Sequence, residues 1–152
     1  MITVSTTIKN KTITEVWDFF TNPIHVINWN FAGEDWHCPK AENQLEVGKS
    51  FTYRMEAKNG EMGFDFTGIY TEIIPFSKIN YVLADERKIL ISFKETENGI
   101  ELVEKFDVED IYQKLNALCH DQEFPLFTCR VHIGRNDGNN TSREWRSRVN
   151  KW

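Results

Sequence analysis

Residues 29–68 read WNFAGEDWHCPKAENQLEVGKSFTYRMEAKNGEMGFDFTG, and their pattern decides the fold. Aromatic side chains fall at alternate positions twice, at Phe51 and Tyr53 and again at Phe64 and Phe66. A period of two marks a strand with one buried face. Between the two runs stands Asn59-Gly60, a hairpin signal that predicts a type I′ turn with positive φ at both residues. Upstream, Trp29 is followed by Trp36, His37 and Cys38 in a stretch, 30–43, that lacks a period and is expected to be irregular. A Trp- and His-bearing loop beside an aromatic sheet face suits a cavity for a small apolar ligand. The same residues also suit an ordinary packed core.

Working outward, the alternation extends on both sides. The first aromatic run spans Gly48 to Lys58, with Phe51, Tyr53 and Met55 on one face and Thr52, Arg54 and Glu56 on the other. The second runs from Met62 through Phe64, Phe66 and Gly68 to Tyr70 and stops at Pro75. Gly68 among large residues predicts a bulge or a close approach. Ile79, Tyr81 and Leu83 form the next strand, and Ile89, Ile91 and Phe93 the one after it. Asn98-Gly99 predicts a second type I′ turn into a last strand, Ile100–Asp107. Toward the N-terminus, Ile2, Val4, Thr6 and Ile8 alternate as a first strand. Thr12 and Glu15 fit a capping box, and Ile13, Val16, Trp17 and Phe20 form one helical stripe. Asn22-Pro23 starts a second short helix carrying Ile24 and Ile27. The order is β, α, α, then five or six antiparallel strands: an α+β domain whose curved sheet needs a C-terminal helix across its concave face. Residues 109–120 and 141–152 have helical spacing, separated by Pro125, a β-like run at 126–133 and a polar loop at 134–140.

Bulk properties bound the function. At 152 residues the chain is one domain, 1–152. Aromatics are abundant, with 11 Phe, 5 Trp and 4 Tyr, more than a minimal core requires. A net charge of −5 argues against a nucleic-acid partner. That charge is uneven: residues 1–127 carry −9 and residues 128–152 carry +4, so the basic tail has the acidic body as an economical partner. Three cysteines, Cys38, Cys119 and Cys129, without a CxxC pair point to reduced thiols and a cytoplasmic setting. No apolar run approaches a membrane span, and the first ten residues lack a signal-peptide core, so no membrane partner is expected.

The sequence offers few chemical constellations. Asp35, His37 and Cys38 could place an acid/base or a polar anchor at a pocket mouth, but no nucleophile partner is visible. His37 therefore reads as a ligand contact or as a loop-pinning hydrogen-bonder rather than a catalyst. Cys119, His120, Cys129 and His132 have poor zinc-ligand spacing, and no metal or cofactor is expected. Phosphate-loop, GxSxG and HExxH motifs are absent from the sequence. The candidate ligand pocket consists of Trp17, Phe20, Trp29, Phe31, Trp36 and His37 from the first third, with Phe51, Tyr53, Phe64, Phe66, Tyr70 and Phe93 from the strands.

Particular runs carry a family resemblance. Glu15-Val16-Trp17, Trp29-Asn30-Phe31-Ala32, the run from Asp35 to Glu42 (DWHCPKAE), Val47-Gly48, Tyr53 to Ala57 and Gly63 to Gly68 (GFDFTG) resemble the START-like helix-grip proteins. These are the polyketide cyclase-like and lipid-transport superfamily, also called SRPBCC. The DWHCPKAE and GFDF runs resemble the branch similar to the C-terminal domain of the activator of heat shock protein 90 ATPase. The resemblance covers residues 1 to about 110 and implies a curved antiparallel sheet gripping a C-terminal helix, with a cavity between them. Residues 110–152 depart from the family pattern of one uninterrupted helix. Three functions follow as expectations. The first is non-enzymatic binding of a small apolar or aromatic ligand between sheet and helix. The second is a protein-interaction module acting on a chaperone ATPase. The third is a polyketide cyclase-like enzyme using His37.

Overall fold

The computed structural model describes residues 2–31 and 34–106. Strand β1 (Ile2–Ile8) leads to helix α1 (Ile13–Thr21) and helix α2 (Pro23–Val26). Six further strands follow: β2 (Trp36–Asn43), β3 (Ser50–Ala57), β4 (Gly63–Ile74), β5 (Lys78–Leu83), β6 (Lys88–Thr96) and β7 (Gly99–Phe106). All seven form one antiparallel sheet in the order β1-β7-β6-β5-β4-β3-β2. The result is a curled half-barrel with both short helices after the first strand, the α+β helix-grip arrangement. The expected helices at 109–120 and 141–152, the β-like run at 126–133, the basic tail and Cys119, His120, Cys129 and His132 lie outside the described residues.

Local chemistry explains the helices. Thr12 caps α1: its hydroxyl accepts from the Glu15 amide while the Glu15 carboxylate accepts from the Thr12 amide at 2.8 Å. Asn22 caps α2 through its side-chain oxygen, and Pro23 occupies N1, where its missing N–H costs nothing. α1 turns Val16, Trp17 and Thr21 inward, and α2 contributes Val26. The Trp29 indole donates to the Phe19 carbonyl at 2.9 Å, closing the α2 end against α1.

Three sequence expectations need correcting. The stretch 30–43 is not irregular throughout, because Trp36–Asn43 is an edge strand. Its ladder shifts between His37 and Lys40, around Cys38-Pro39. Proline cannot donate to a ladder and is tolerated at an edge or a bulge, so the alternation that marks a strand is interrupted there. Neither Asn-Gly turn is type I′. Gly60 (φ 77) and Gly99 (φ 126) adopt positive φ, while Asn59 and Asn98 do not. In the β3–β4 hairpin the Gly60 amide donates to Ala57 and the Ala57 amide to Met62, so a turn over Lys58-Asn59 is followed by one left-handed glycine. In the β6–β7 hairpin Gly99 already pairs with Thr96, which makes Glu97-Asn98 the loop. Gly68 proves to be a close approach: a Cβ there would lie 2.6 Å from the Phe51 ring. The register shift in β4 comes later, between Tyr70 and Glu72.

The sheet's inner face is the core. β3 buries Phe51, Tyr53, Met55 and Ala57, and β4 buries Phe66, Gly68 and Tyr70. Ile79, Tyr81, Ile89, Ile91, Phe93, Leu102 and Phe106 continue that face across β5 to β7. α1 and α2 pack over the part of it near β6 and β2.

Candidate functional site

The inner face does not close completely under the helices. A hollow of about 30 Å³ remains there, walled by Phe20, Thr21, Trp29 and Asn30 from the helical side and by Phe51, Tyr53, Phe66, Tyr70, Ile79, Tyr81 and Glu104 from the sheet. That volume holds roughly two ordered waters and is well below the 300–1,000 Å³ of a drug-sized pocket. Along the same sheet face, beyond Tyr53 on β3 and Phe66 on β4, an open trough of about 520 Å³ is bordered by Asp35, Trp36, Ala57, Lys58, Asn59, Glu61 and Met62.

Most of the wall is aromatic and tightly braced. Phe20 stacks on Trp29 with centroids 5.1 Å apart, and Phe51 stacks on Tyr53 at 4.7 Å. Phe51 also meets Tyr81 edge-on at 5.0 Å and Tyr70 at 5.4 Å. Such pairs add to the burial of their large surfaces.

The Tyr70 hydroxyl is anchored in this wall. The Tyr53 phenol interacts electrostatically with that of Tyr70. Tyr70 donates to Asn43 Oδ1 at 2.8 Å, and Asn43 Nδ2 donates to the Thr21 carbonyl at 2.6 Å. This relay ties the sheet to the end of α1. Burial pushes the Tyr70 phenol up to about 12. Burial also drives Tyr53 and Tyr81 well above the ordinary tyrosine value, with the Glu104 charge adding to the effect at Tyr81.

Two polar side chains at the hollow escaped the sequence reading. Glu104 is 8 % exposed and sits on the apolar face, in the alternation Ile100, Leu102, Glu104, Phe106. A carboxylate in that register was the signal available in the sequence. Asn30 is 3 % exposed, and among the described residues its buried side-chain Nδ2 has no hydrogen-bond partner. Nothing in the sequence distinguished it from its neighbours. A buried donor left unpaired costs about 1–3 kcal/mol.

The expected pocket residues divide into groups. Phe20, Trp29, Phe51, Tyr53, Phe66 and Tyr70 stand around the hollow. Trp17 and Phe93 form a second row, 5.1 Å apart, with Phe93 edge-on to Phe20 at 5.4 Å. Trp36 borders the trough and meets Phe64 at 6.2 Å. Phe31 is half-buried against the core, its amide bonded to the Trp29 carbonyl. His37 is elsewhere: it pairs across the sheet with Glu56, whose side chain alternates away from Tyr53 and Met55. On that outer face His37 Nε2 lies 3.6 Å from Glu56, and Arg54 links Glu56 at 2.9 Å to Asp65 at 3.3 Å. All four are substantially exposed, so this is a solvated ion-pair cluster of small energetic weight. Cys38 is buried, its thiol pushed up to about 11, which leaves it a poor nucleophile. Among the described residues no group of three or more His, Cys, Asp and Glu side chains could hold a metal ion. Among them, too, no helix is long and apolar enough to cross a membrane.

Comparison with known proteins fits this architecture. A family model described as "Activator of Hsp90 ATPase homolog 1-like protein" matches residues 10–124. The solution structure of the AHSA1-like protein from Aeromonas hydrophila is similar with a TM-score of 0.68 and 26% identity, covering 82% of this chain and 99% of that one. The solution structure of Chr148 from Cytophaga hutchinsonii is 32% identical with a TM-score of 0.63, covering 82% of this chain and 98% of that one. Protein Ms6760 from Mycobacterium smegmatis shares the fold alone, at 12% identity and a TM-score of 0.63 over 98% of this chain and 87% of its own. No curated protein matches the sequence.

Proposed function

Because the chain belongs to the Activator of Hsp90 ATPase homolog 1-like family, within the START-like helix-grip superfamily, we propose that it binds a small, mostly apolar ligand on its concave face. The observation that carries this reading is the hollow itself: an aromatic wall into which a few polar side chains converge. Concave, mainly apolar sites with sparse polar groups are how proteins hold small organic molecules. In this reading the pocket residues are Phe20, Trp29, Phe51, Tyr53, Phe66 and Tyr70, with Trp36 and Phe64 toward the trough.

The hollow is water-sized, so an occupant has to widen it or extend out of it. Phe20, Thr21, Trp29 and Asn30 form the part of the wall outside the sheet ladder, so widening the hollow on that side breaks no strand pairing. The inner face runs uninterrupted from Tyr53 through Met55 to Ala57, about 13 Å at strand rise, which gives an elongated body a track to the trough. Activation of a chaperone ATPase, the activity in the family's description, comes to this chain by membership alone and lacks a comparable structural anchor.

The test is a fragment screen of aromatic and aliphatic compounds on the intact chain, followed by amide chemical shifts and melting temperature. Binding should move resonances of Phe20, Trp29, Tyr53 and Tyr70 and raise the melting temperature by mass action. If no compound at millimolar concentration moves these resonances, ligand binding is ruled out as the function of the hollow.

A further inference from the structure

We propose that the end of the ligand entering the hollow carries a carbonyl oxygen, as in a ketone or an ester, and that this oxygen takes the hydrogen bond Asn30 Nδ2 lacks in the folded chain. The inference rests on the ligand reading above and adds the chemistry of the head group.

The backbone sets Asn30 in place for this. Its main-chain N–H donates to the Val26 carbonyl at 2.9 Å, continuing the turn of α2, and its neighbour Trp29 is pinned by the indole bond to the Phe19 carbonyl. The carboxamide is carried inward: Asn30 is 3 % exposed and lines the hollow. There, among the described residues, its Nδ2 has no hydrogen-bond partner. Other asparagines fare differently. Asn22, Asn28 and Asn43 donate through Nδ2 to Asp18, the Ile24 carbonyl and the Thr21 carbonyl at 3.1, 3.0 and 2.6 Å, and buried Asn80 donates to Glu72 at 2.6 Å. A leucine of similar volume at position 30 would avoid the cost of a stranded donor, so stability alone does not account for the amide. Arg87 Nη1 and Asn80 Oδ1 are also buried and unpaired, but neither residue lines the hollow.

The hollow limits what can meet that donor. About 30 Å³ is room for a carbonyl group and not for a whole ligand. A carbonyl accepts through lone pairs in its own plane and brings no hydrogen that the wall must satisfy in turn. A hydroxyl has its hydrogen to place as well, and a hydrocarbon leaves Nδ2 stranded. The carbon attached to the carbonyl meets Phe51, Phe66 and Ile79, which suit an apolar body.

The experiment compares acetophenone with α-methylstyrene, which keeps the shape and replaces the carbonyl oxygen by a methylene. Both are titrated into the intact chain and into its Asn30→Leu variant, followed by amide resonances. A ketone and an alkene differ in their own hydration, so the quantity read is the ratio of their affinities and its change between the two chains. The preference for acetophenone should fall roughly tenfold in Asn30→Leu. In the parent, an Asn30 side-chain amide proton should move downfield with acetophenone and not with α-methylstyrene, and this arm decides the matter if Asn30→Leu does not fold. An unchanged ratio, or an Asn30 amide that responds alike to both probes, overturns this inference and leaves ligand binding standing. If neither probe binds, both fall.

Discussion

Tyr70 donates its hydroxyl to Asn43 Oδ1 at 2.8 Å, and through that bond the centre of β4 is tied to the last residue of β2. Asn43 passes the connection on by donating to the Thr21 carbonyl at the end of α1. The relay has an end and a middle, and they should differ in cost. Tyr70→Phe removes only the terminal donor and should cost about 0.5–1.5 kcal/mol. Asn43→Leu strands the buried Tyr70 hydroxyl and the Thr21 carbonyl and should cost about 1–3 kcal/mol. Urea unfolding of both variants and of the double variant measures this. If the two single costs are equal and strictly additive, the groups do not act as a relay.

Gly68 and Gly63 lie on the same strand and should answer differently to the same substitution. An added Cβ at Gly68 would sit 2.6 Å from the Phe51 ring and 3.1 Å from the Val82 carbonyl. Phe51 is 2 % exposed and wedged among Tyr53, Tyr70 and Tyr81, so it has nowhere to retreat. Gly68→Ala should destabilise by about 1–3 kcal/mol through overpacking. At Gly63 the Cβ would meet the Arg54 guanidinium at 2.5 Å, the far end of a flexible, exposed side chain. There Arg54 swings aside, and Gly63→Ala should stay within about 0.5 kcal/mol of the parent. Thermal unfolding of the pair checks the contrast, and a Gly68→Ala variant as stable as Gly63→Ala would refute the close-packing account.

Cys38 offers a chemical check on burial. Its thiol donates to the Lys40 carbonyl at 3.4 Å inside the β2 bulge, and burial holds its pKa near 11. At pH 8 the thiolate fraction is then small and access is poor. In a variant with Cys119 and Cys129 replaced by serine, Cys38 should react with a thiol reagent only as fast as the chain opens. Addition of about 6 M urea should bring prompt reaction; prompt reaction in buffer alone would show that the bulge is open.

Much of this fold is legible in the sequence because strands with one wet face declare themselves. The Phe51–Tyr53–Met55 and Phe64–Phe66 alternations locate β3 and β4 and give their inner faces. β2 is hidden because Pro39 and the shift at Cys38 break the period on which recognition depends. The turns are misread for a related reason: Asn-Gly announces positive φ, but which residue takes it depends on the register of both flanking strands. The site is less legible than the fold. Periodicity reports which face a residue is on, while the hollow depends on where α1 and α2 land upon the sheet. Hence Phe20 and Tyr70 meet across it, whereas His37, one position from Trp36, points to the opposite side. Glu104 broke the Ile100–Leu102–Phe106 alternation and was readable as an exception; Asn30 broke nothing.

Alkaline pH tests the tyrosine wall as a unit. Tyr53, Tyr70 and Tyr81 all hold their protons above the ordinary value of 10.0, chiefly because burial disfavours the phenolate. In each case the folded chain binds the proton more tightly than the unfolded chain. Their contribution to stability is therefore complete below about pH 10 and is lost as pH rises through the folded values, which for Tyr70 is about 12. Absorbance at 295 nm should show Tyr53, Tyr70 and Tyr81 ionising late and together with unfolding. Glu104→Gln removes the second cause of the Tyr81 shift and leaves burial, the first, in place. In that variant Tyr81 should titrate earlier than in the parent yet still above 10. If Tyr53, Tyr70 and Tyr81 ionise together near 10 while the chain stays folded, their hydroxyls are in water, and the wall around the hollow is not the dry surface described above.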